Sequence, residues 1–393
     1  MSRINADARI LATYRITAPA AGIAERALAL AIEQSVEMPL AAVRSVAIRE
    51  TIAGRVESIE PVPAGGLAGG AEDPATNGGA HRAAPQAFHV TISLAAQTVG
   101  DDAGQLMNMA FGNASLQPDV ELIDLALPAE LLALFPGPAH GIAGIRASTG
   151  AHGRALTCTA LKPQGLAPEE LAELAHTLAL AGVDVIKDDH GIADQAYAPF
   201  ARRVPLVQRA VAAANRATGG CTVYAPSLSG GPRRLAAQCA LVRAEGVGMV
   251  LACPMILGIP GFVELRQEIG VPILAHPALA GSARIDPALL LGLLFRVFGA
   301  DATIFPNFGG RFSCDRAACH AIATRARAPL AGHRDTLPVP AGGMTVERVD
   351  EIVAEYGIDL MLLIGGNLLE APEGVGQRAR AFVARVGRAG VKP

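Results

Sequence analysis

GVDVIKDDH, residues 182–190, is a short apolar run that ends in a lysine, two aspartates and a histidine. Apolar residues between a helix-ending glycine and a charged cluster predict a buried parallel strand whose carboxyl end emerges at a surface. Taken alone, the pattern also fits a strand end whose charges are solvated or paired with a neighbouring helix. The rest of the chain favours a barrel of parallel strands, in which that end carries the chemistry.

Seven further apolar runs repeat this pattern in the carboxyl-terminal part of the chain. The eight predicted strands are 156–161, 183–186, 221–225, 248–252, 271–275, 301–305, 337–340 and 359–364. Amphipathic segments between them predict helices, and the clearest begins at Pro168 and ends at Gly182. Alternating strands and helices over 146–393, close to the ~250 residues typical of the class, predict an α/β fold with a (β/α)8 TIM barrel.

The residues before the barrel have a different pattern. We expect strands or strand-like segments at 9–17, 42–51, 55–61 and 87–95, and helices at 23–34 and 100–111. They predict a small N-terminal α+β domain, residues 1–145, followed by the barrel domain, residues 146–393. Residues 63–85 are rich in Gly, Ala and Pro and cannot bury enough apolar surface to offset their ordering entropy, so we expect a mobile loop there.

The composition narrows the classes of partner. The chain has 393 residues, 51% of them hydrophobic, and a net charge of only −3, which favours neither nucleic acid nor a membrane surface. We see no signal peptide and no membrane span, and the six cysteines form no CxxC pair. We therefore expect a cytoplasmic protein with reduced core cysteines, whose partners are small molecules and copies of itself.

Polar residues follow the predicted strands on one rim of the barrel. Lys162 and Lys187 end adjacent strands, so we expect their side chains to meet over the barrel mouth, unless each pairs with an aspartate. Burial of Lys187 should lower its pKa, because desolvation disfavours the ammonium form. Asp189 and His190 are candidate metal ligands, and His276 is either a proton shuttle, a substrate hydrogen-bond donor or a structural histidine.

Two glycine pairs follow the seventh and eighth predicted strands. Gly342 with Gly343, and Gly365 with Gly366, fit the phosphate cradle that barrels often place there, where small residues let backbone N–H groups approach an anion. Each pair alone is a weak signal, since glycine ends many strands. The two pairs together predict a phosphate-binding site.

Several motifs resemble segments of the RuBisCO superfamily. LKPQGL at 161–166 resembles its first-strand Lys-Pro-Lys segment, and KDDH at 187–190 resembles its carbamate-lysine motif, Lys-Asp-Asp-Glu. FPGPAHGI at 135–142 is similar to the segment that joins its two domains, and the glycines at 341–343 and 365–366 are similar to its phosphate loops. The resemblance extends over nearly the whole chain.

The resemblance also has implications for the N-terminal domain. Glu33, with Ser35, and Asn113 resemble the residues that a partner subunit contributes to the site in this family. It implies a homodimer with shared active sites, in which Glu33 and Asn113 complete the partner's site. The dimer could also be part of a higher oligomer.

For the metal centre, the resemblance implies that CO₂ carbamylates Lys187. The carbamate, Asp189 and the next residue would then bind Mg²⁺ and a substrate enolate, while Lys162 gives or takes a proton. Here the next residue is His190 instead of glutamate. A neutral nitrogen in place of an anionic oxygen lowers the ligand charge and softens the site, which would also suit Mn²⁺.

Other departures from the family argue against CO₂ fixation. A carboxylase has an arginine after the fifth-strand histidine, a histidine after the sixth strand, a serine before the seventh-strand glycines and a lysine in the sixth loop. This chain has Pro277, residues 304–306, Ala341 and, approximately, Arg311 at those places. One phosphate site is thereby lost and the other keeps its glycines. We therefore predict a RuBisCO-like, non-carboxylating protein with a mono-phosphorylated, sugar-derived substrate.

Enolate chemistry at a divalent metal is what these residues still support. The leading hypothesis is decarboxylation or cleavage of a β-keto sugar acid phosphate of the 3-oxo-isoapionate 4-phosphate type. The alternative is a 5-methylthioribulose-1-phosphate isomerase or a 2,3-diketo-5-methylthiopentyl-1-phosphate enolase. A hypothesis of another class is a catalytically inactive structural or regulatory homologue, in which Lys187 forms only a salt bridge.

Overall fold

A computed structural model of the chain describes residues 4–63, 85–370 and 374–389. The chain divides into two compact units, one made of Met1–Leu134 with Ser282–Asp286 and the other of Phe135–Gly281 with Pro287–Pro393. Residues 64–84, which make up nearly all of the predicted mobile loop, lie outside the described residues. None of the helices in the described ranges is both long and apolar enough to cross a membrane.

The first unit is built on an antiparallel sheet. Its strands are β1 (Arg9–Ala18), β2 (Arg55–Pro61), β3 (Gln86–Ala95) and β4 (Val120–Ala126), in the order β2-β3-β1-β4. Its helices are α1 (Ile23–Glu33), α2 (Val46–Thr51), α3 (Ala103–Phe111) and α4 (Ala129–Leu132). Alternate residues of β1, such as Ile10 and Tyr14, are fully buried, as expected for a strand that covers a core on one face.

One local prediction for this unit is wrong. Residues 42–51 contain several β-branched side chains and were expected to form a strand-like segment, but Val46–Thr51 is a helix. Ser45 caps it, since its hydroxyl accepts a hydrogen bond from the backbone N–H of Ile48 at 3.3 Å. The cap outweighs the weak strand preference of the residues that follow it.

The second unit contains the parallel strands. They are β5 (Leu156–Leu161), β6 (Val185–Asp188), β7 (Val223–Ala225), β8 (Ser227–Leu228), β9 (Val250–Ala252), β10 (Ile273–Ala275), β11 (Ala302–Pro306), β12 (Leu337–Ala341) and β13 (Met361–Leu363). Each of the eight predicted runs overlaps one of these barrel strands, with β7 and β8 forming a single barrel strand that Pro226 interrupts. The fold class, an α/β chain with a TIM barrel, is confirmed.

Backbone hydrogen bonds join the barrel strands in two blocks. One block has the order β13-β5-β6-β7 and the other has the order β8-β9-β10-β11-β12. The blocks meet at Pro226, which has no N–H to donate, and at the neighbouring strands β12 and β13.

Helices surround the strands of the second unit. They are α5 (Gly141–Thr149), α6 (Pro168–Leu180), α7 (Phe200–Thr218), α8 (Pro232–Ala244), α9 (Pro254–Leu257), α10 (Ile259–Ile269), α11 (Phe295–Val297), α12 (Arg316–Arg327), α13 (Val349–Tyr356), α14 (Gly366–Leu369) and α15 (Val375–Arg388). A π-helical stretch, Ala288–Leu294, leads into α11. Helix α5 spans the predicted domain boundary between residues 145 and 146.

Side-chain alternation along the strands decides what reaches the barrel mouth. Val185, Leu251 and Leu274 belong to one buried apolar cluster inside the barrel. Residues two positions apart on a strand share a face. The inward phase of β6 therefore carries Lys187 and Asp189, while Asp188 faces the surrounding helices.

Candidate active site

Lys187 lies at the carboxyl end of β6 and is 2% exposed. Its Nζ atom donates a hydrogen bond to the backbone carbonyl of Asp188 at 3.0 Å. Burial lowers the pKa of Lys187 below its ordinary value, and the positive charge of Lys162 lowers it further. Burial therefore makes the uncharged amine easier to reach here than for a lysine in water, although the charge of Asp189 acts in the opposite direction.

Asp189 and Lys162 form an ion pair above Lys187. Lys162 Nζ lies 2.7 Å from Asp189 Oδ1, and His190 Nδ1 lies 3.6 Å from the same oxygen. Burial raises the pKa of Asp189, but the polar contact with His190 and the hydrogen bond and charge of Lys162 outweigh it, so the pKa falls well below its usual range. Asp189 is therefore an anion held between cationic or polar partners. Lys162 thus makes the aspartate pair that the sequence analysis gave as the alternative to contact between the two lysines.

The imidazole rings of His190 and His276 are stacked, with centroids 4.1 Å apart and planes 11° from parallel. Burial and the nearby charge of Lys187 lower the pKa of His276 to about 2. The backbone N–H of Ala278 donates to His276 Nδ1 at 3.1 Å, so the neutral ring carries its hydrogen on Nε2. Of the three roles that the sequence left open, this geometry suits a hydrogen-bond donor.

Asp188 faces away from the barrel mouth and is fully committed to structural hydrogen bonds. Arg203 of α7 lies 3.2 Å from its Oδ2 atom, and both side chains are 0% exposed. Tyr224 Oη donates to Oδ1 at 2.8 Å, and the backbone N–H of Ser227 donates to Oδ2 at 3.0 Å. The pair of Asp188 and Arg203 therefore fixes the end of β6 from behind. Sequence reasoning missed Arg203, although the alternation of β6 assigns Asp188 to the outer face.

Cys253 is a second residue whose position sequence reasoning missed, because its apolar surroundings suggested a core cysteine. It follows β9 in the inward phase of Leu251 and is 8% exposed. Burial raises the pKa of its thiol to about 11, and the charges of Lys187 and Asp189 also act on it. A protonated thiol therefore lines the wall of the site.

The two predicted phosphate loops have different packing. Gly342 and Gly343 have φ angles of +85° and +96°, and a Cβ atom would lie 2.8 Å from the Phe312 ring and 2.7 Å from the Arg311 backbone nitrogen, respectively. Close packing by residues 310–312 is thus reason enough for glycine there. Gly365 and Gly366, in contrast, do not have the positive φ angles that favour glycine.

The space at Gly365 and Gly366 is open. A Cβ atom at Gly365 would lie 3.8 Å from Lys162 Cε, and nothing lies within 4 Å of the Cβ position of Gly366. The eighth-strand glycines therefore lie beside Lys162, where an anion has room. Phosphate binding by either pair stays a prediction.

Glu33 and Asn113 are together in the first unit. Asn113 Nδ2 donates to Glu33 Oε1 at 2.9 Å and to Glu37 Oε1 at 3.1 Å. Their predicted role, completing the active site of a partner subunit, stays a prediction, as does the homodimer.

Comparison with known proteins decides the family. The family model for the ribulose bisphosphate carboxylase large chain, catalytic domain, matches residues 141–299. The chain is 52% identical over 379 residues to ribulose bisphosphate carboxylase-like protein 1 of Rhodopseudomonas palustris, which covers 96% of this chain and 97% of that protein. The chain belongs to the RuBisCO-like proteins. These are the non-carboxylating members of the RuBisCO family, so the predicted resemblance is confirmed.

Two further matches extend over nearly the whole length of both chains. The crystal structure of a RuBisCO-like protein from Rhodopseudomonas palustris has a TM-score of 0.86 and 48% identity, and covers 98% of this chain and 99% of that one. The 5-methylthioribulose-1-phosphate isomerase of Rhodospirillum rubrum is 50% identical over 380 residues, which are 96% of each protein.

The donor atoms of this RuBisCO-like site fit a divalent cation on one condition. Within the described part of the chain, no group of three or more His, Cys, Asp and Glu side chains could hold a metal ion. Asp189 supplies a carboxylate oxygen and His190 an imidazole nitrogen. A carbamate on Lys187 would add the missing anionic oxygen ligand, so the residues fit Mg²⁺ or Mn²⁺ only if Lys187 is carbamylated.

Proposed function

We propose that this protein isomerises a ketose monophosphate of the 5-methylthioribulose 1-phosphate type. The main support is the 50% identity, over 96% of both chains, to the isomerase of Rhodospirillum rubrum. That match extends over almost the whole barrel, so it includes the strand ends that carry the site. Because a fold alone does not define a reaction, the chemistry of the site has to agree as well.

The isomerisation moves a carbonyl group along the carbon chain. A base removes a proton from the carbon next to the carbonyl, and the enediolate that forms takes a proton on a neighbouring carbon, so no atom is gained or lost. Lys162 is the group we propose to move the proton. Its side chain is 34% exposed at the barrel mouth, and its ion pair with Asp189 holds its Nζ atom in place.

Other residues of the site have charge-stabilising and binding roles in this proposal. The Nε2–H of His276 donates a hydrogen bond to the oxygen on which negative charge develops. A divalent cation held by the Lys187 carbamate, Asp189 and His190 would polarise the substrate carbonyl. The open backbone at Gly365 and Gly366 receives the phosphate, with Lys162 beside it.

Decarboxylation of a β-keto sugar acid phosphate was the leading hypothesis from the sequence. None of the relatives described above is named for such a reaction, whereas the isomerase alternative has a full-length counterpart. The isomerase is therefore the function we propose in its place.

The test is conversion of 5-methylthioribulose 1-phosphate by the purified protein with Mg²⁺ and bicarbonate, followed by phosphorus NMR. We expect a new sugar monophosphate without release of CO₂ or inorganic phosphate. Lys162→Met should abolish conversion. Arg243→Gln removes a positive charge from an exposed ion pair on the outer helix α8 and should retain it.

Two results would contradict the proposal. Release of CO₂ from 3-oxo-isoapionate 4-phosphate, with no conversion of the methylthio sugar, would restore the decarboxylase hypothesis. Folded protein that converts neither compound and binds no divalent cation in calorimetry would favour a catalytically inactive homologue.

A further inference from the structure

Two cysteines are in contact at the start of α12. The Sγ atoms of Cys314 and Cys319 lie 3.2 Å apart, and the thiol of Cys319 shares its hydrogen between the sulfur of Cys314 and the backbone carbonyl of Pro306, which is 3.3 Å away. Asp315 caps the helix, because its side chain accepts a hydrogen bond from the backbone N–H of Ala318 at 2.7 Å. Cys314 therefore precedes the cap, and Cys319 is the fourth helical residue. These two positions pack together in the hydrophobic staple of capped helices.

A hydrophobic staple of two small side chains would by itself explain why Cys314 and Cys319 are in contact. It does not explain why the two thiols differ in exposure and in pKa. Cys314 is partly exposed and Cys319 is buried. The hydrogen bond from Cys319 lowers the pKa of Cys314, and the same bond together with burial raises the pKa of Cys319. A partly exposed sulfur whose pKa is lowered thus lies against a buried thiol, which is the arrangement of a reactive cysteine beside a resolving one.

The distance between the sulfur atoms makes a covalent bond accessible. A disulfide requires an S–S distance of about 2.05 Å, so the two atoms have to approach by about 1 Å. Cys314 lies outside the helix, so a rotation of its side chain would close this distance without moving a helical residue.

We propose that Cys314 and Cys319 form a reversible dithiol–disulfide site whose oxidant is a hydroperoxide. The Cys314 sulfur attacks the peroxide oxygen, the O–O bond breaks, and Cys314 becomes a sulfenic acid while an alcohol or water leaves. The Cys319 sulfur then attacks the Cys314 sulfur, the S–O bond breaks, and water leaves with the thiol proton. Two thiols lose two electrons and two protons, and the peroxide gains both. A low-molecular-weight thiol reverses the reaction by exchange.

The cysteine pair is linked to the glycines after the seventh barrel strand through the loop that precedes Cys314. The backbone N–H of Arg311 donates to the carbonyl of Gly342 at 3.0 Å, and the N–H of Cys314 donates to the carbonyl of Phe312 at 3.0 Å. The segment that packs on Gly342 therefore ends at Cys314. A disulfide would tie this end to the first turns of α12. Any effect on catalysis rests on the proposed function, whereas formation of the bond does not.

The sequence gives a direct way to detect the bond. Trypsin cleaves after Arg311, Arg316 and Arg325, so Cys314 and Cys319 fall in separate peptides, 312–316 and 317–325. The full-length reduced protein is treated with hydrogen peroxide, remaining thiols are alkylated, and the digest is analysed without reductant. We expect the two peptides to appear linked, and to separate after reduction with dithiothreitol.

Matched variants assign the link. Cys314→Ser and Cys319→Ser should each abolish it, and Cys221→Ser, which removes an exposed cysteine elsewhere, should leave it unchanged. Recovery of both peptides in alkylated form from peroxide-treated wild-type protein would overturn the proposal. So would oxidation of Cys314 to a sulfinic acid without any link, because the buried thiol would then not resolve it. Neither result depends on a variant that has to fold.

Activity provides a separate measurement. We expect oxidation to lower kcat/KM for 5-methylthioribulose 1-phosphate, dithiothreitol to restore it, and Cys314→Ser to be insensitive to peroxide. A linked protein with unchanged kcat/KM would refute the coupling to the glycine loop. Reduced protein without isomerase activity would refute the proposed function, while the linked peptides would still decide the dithiol site.

Discussion

Replacing Arg203 by methionine should destabilise the barrel strongly while leaving its volume nearly unchanged. The guanidinium bonds to Asp188 Oδ2 and to the backbone carbonyls of Ala198 and Ala193, at 3.2, 2.6 and 2.8 Å. Without it, a 0% exposed carboxylate loses its cation and two carbonyls lose their donor. Removing one partner of a buried ion pair costs ~3–5 kcal/mol, and we expect a loss of that size.

A double-mutant cycle measures the interaction. Urea unfolding of the wild type, Arg203→Met, Asp188→Asn and the double variant gives the coupling energy between the two side chains. The double variant should be more stable than Arg203→Met, because no buried charge is left uncompensated. Arg202→Met is the matched control, since Arg202 is the preceding residue of α7 and pairs with an exposed glutamate, Glu169. It should unfold like the wild type.

Equal urea midpoints for Arg203→Met and Arg202→Met would refute this reasoning. They would mean that water or another side chain compensates Asp188 as well as Arg203 does. The end of β6 would then not depend on support from α7.

Three further predictions concern other parts of the chain. Gly366→Ala should leave the urea midpoint unchanged and raise KM for the phosphorylated substrate, whereas Gly342→Ala should lower stability by ~1–3 kcal/mol, because its φ is +85°; equal midpoints for the two variants would contradict this. Burial raises the pKa of Cys239 from 9.0 to about 11, so the stability that the protonated thiol contributes is full below pH 9 and is lost as the pH rises through 11. In urea unfolding, Cys239→Ala should therefore lose less stability at alkaline pH than the wild type. Identical pH profiles for the two proteins would contradict this. If two subunits share each site, inactive Glu33→Gln and Lys162→Met proteins should regain isomerase activity when unfolded and refolded together, and sedimentation should show a dimer; an active monomer would exclude shared sites.

The apolar runs and the amphipathic segments between them could be read from the sequence, and they correctly located the barrel and the charged end of β6. The pairing of Lys162 with Asp189 could not be read in the same way. It depends on which adjacent strand end comes within 3 Å, and this is set by the register between β5 and β6. The ion pair of Asp188 with Arg203 is a comparable case, because it joins a strand to the helix shell.

The role of glycine shows another limit of sequence reasoning. At Gly342 and Gly343 the same residue type satisfies both a phosphate loop and close packing by residues 310–312. The sequence cannot separate these two reasons, since both favour a residue without Cβ. The error at 42–51 has a local cause. The β-branched residues there favour a strand and Ser45 favours the start of a helix, and in the structure the helix cap prevails.

The two blocks of barrel strands have a consequence for the way this protein loses activity on heating. Lys162, Lys187 and Asp189 belong to the block of β13, β5, β6 and β7, while Cys253 and His276 follow strands of the other block. Between β12 and β13 no shared ladder joins the blocks, so they can separate there without breaking a ladder hydrogen bond of either one. At Pro226 the chain itself and the hydrogen bond from Ser227 to Asp188 keep them together. Partial opening along the seam between β12 and β13 would pull the proposed catalytic groups apart while each block kept its own protected amides. Heat inactivation should therefore precede the loss of helical circular dichroism, and hydrogen exchange should resolve two cooperative units within one barrel.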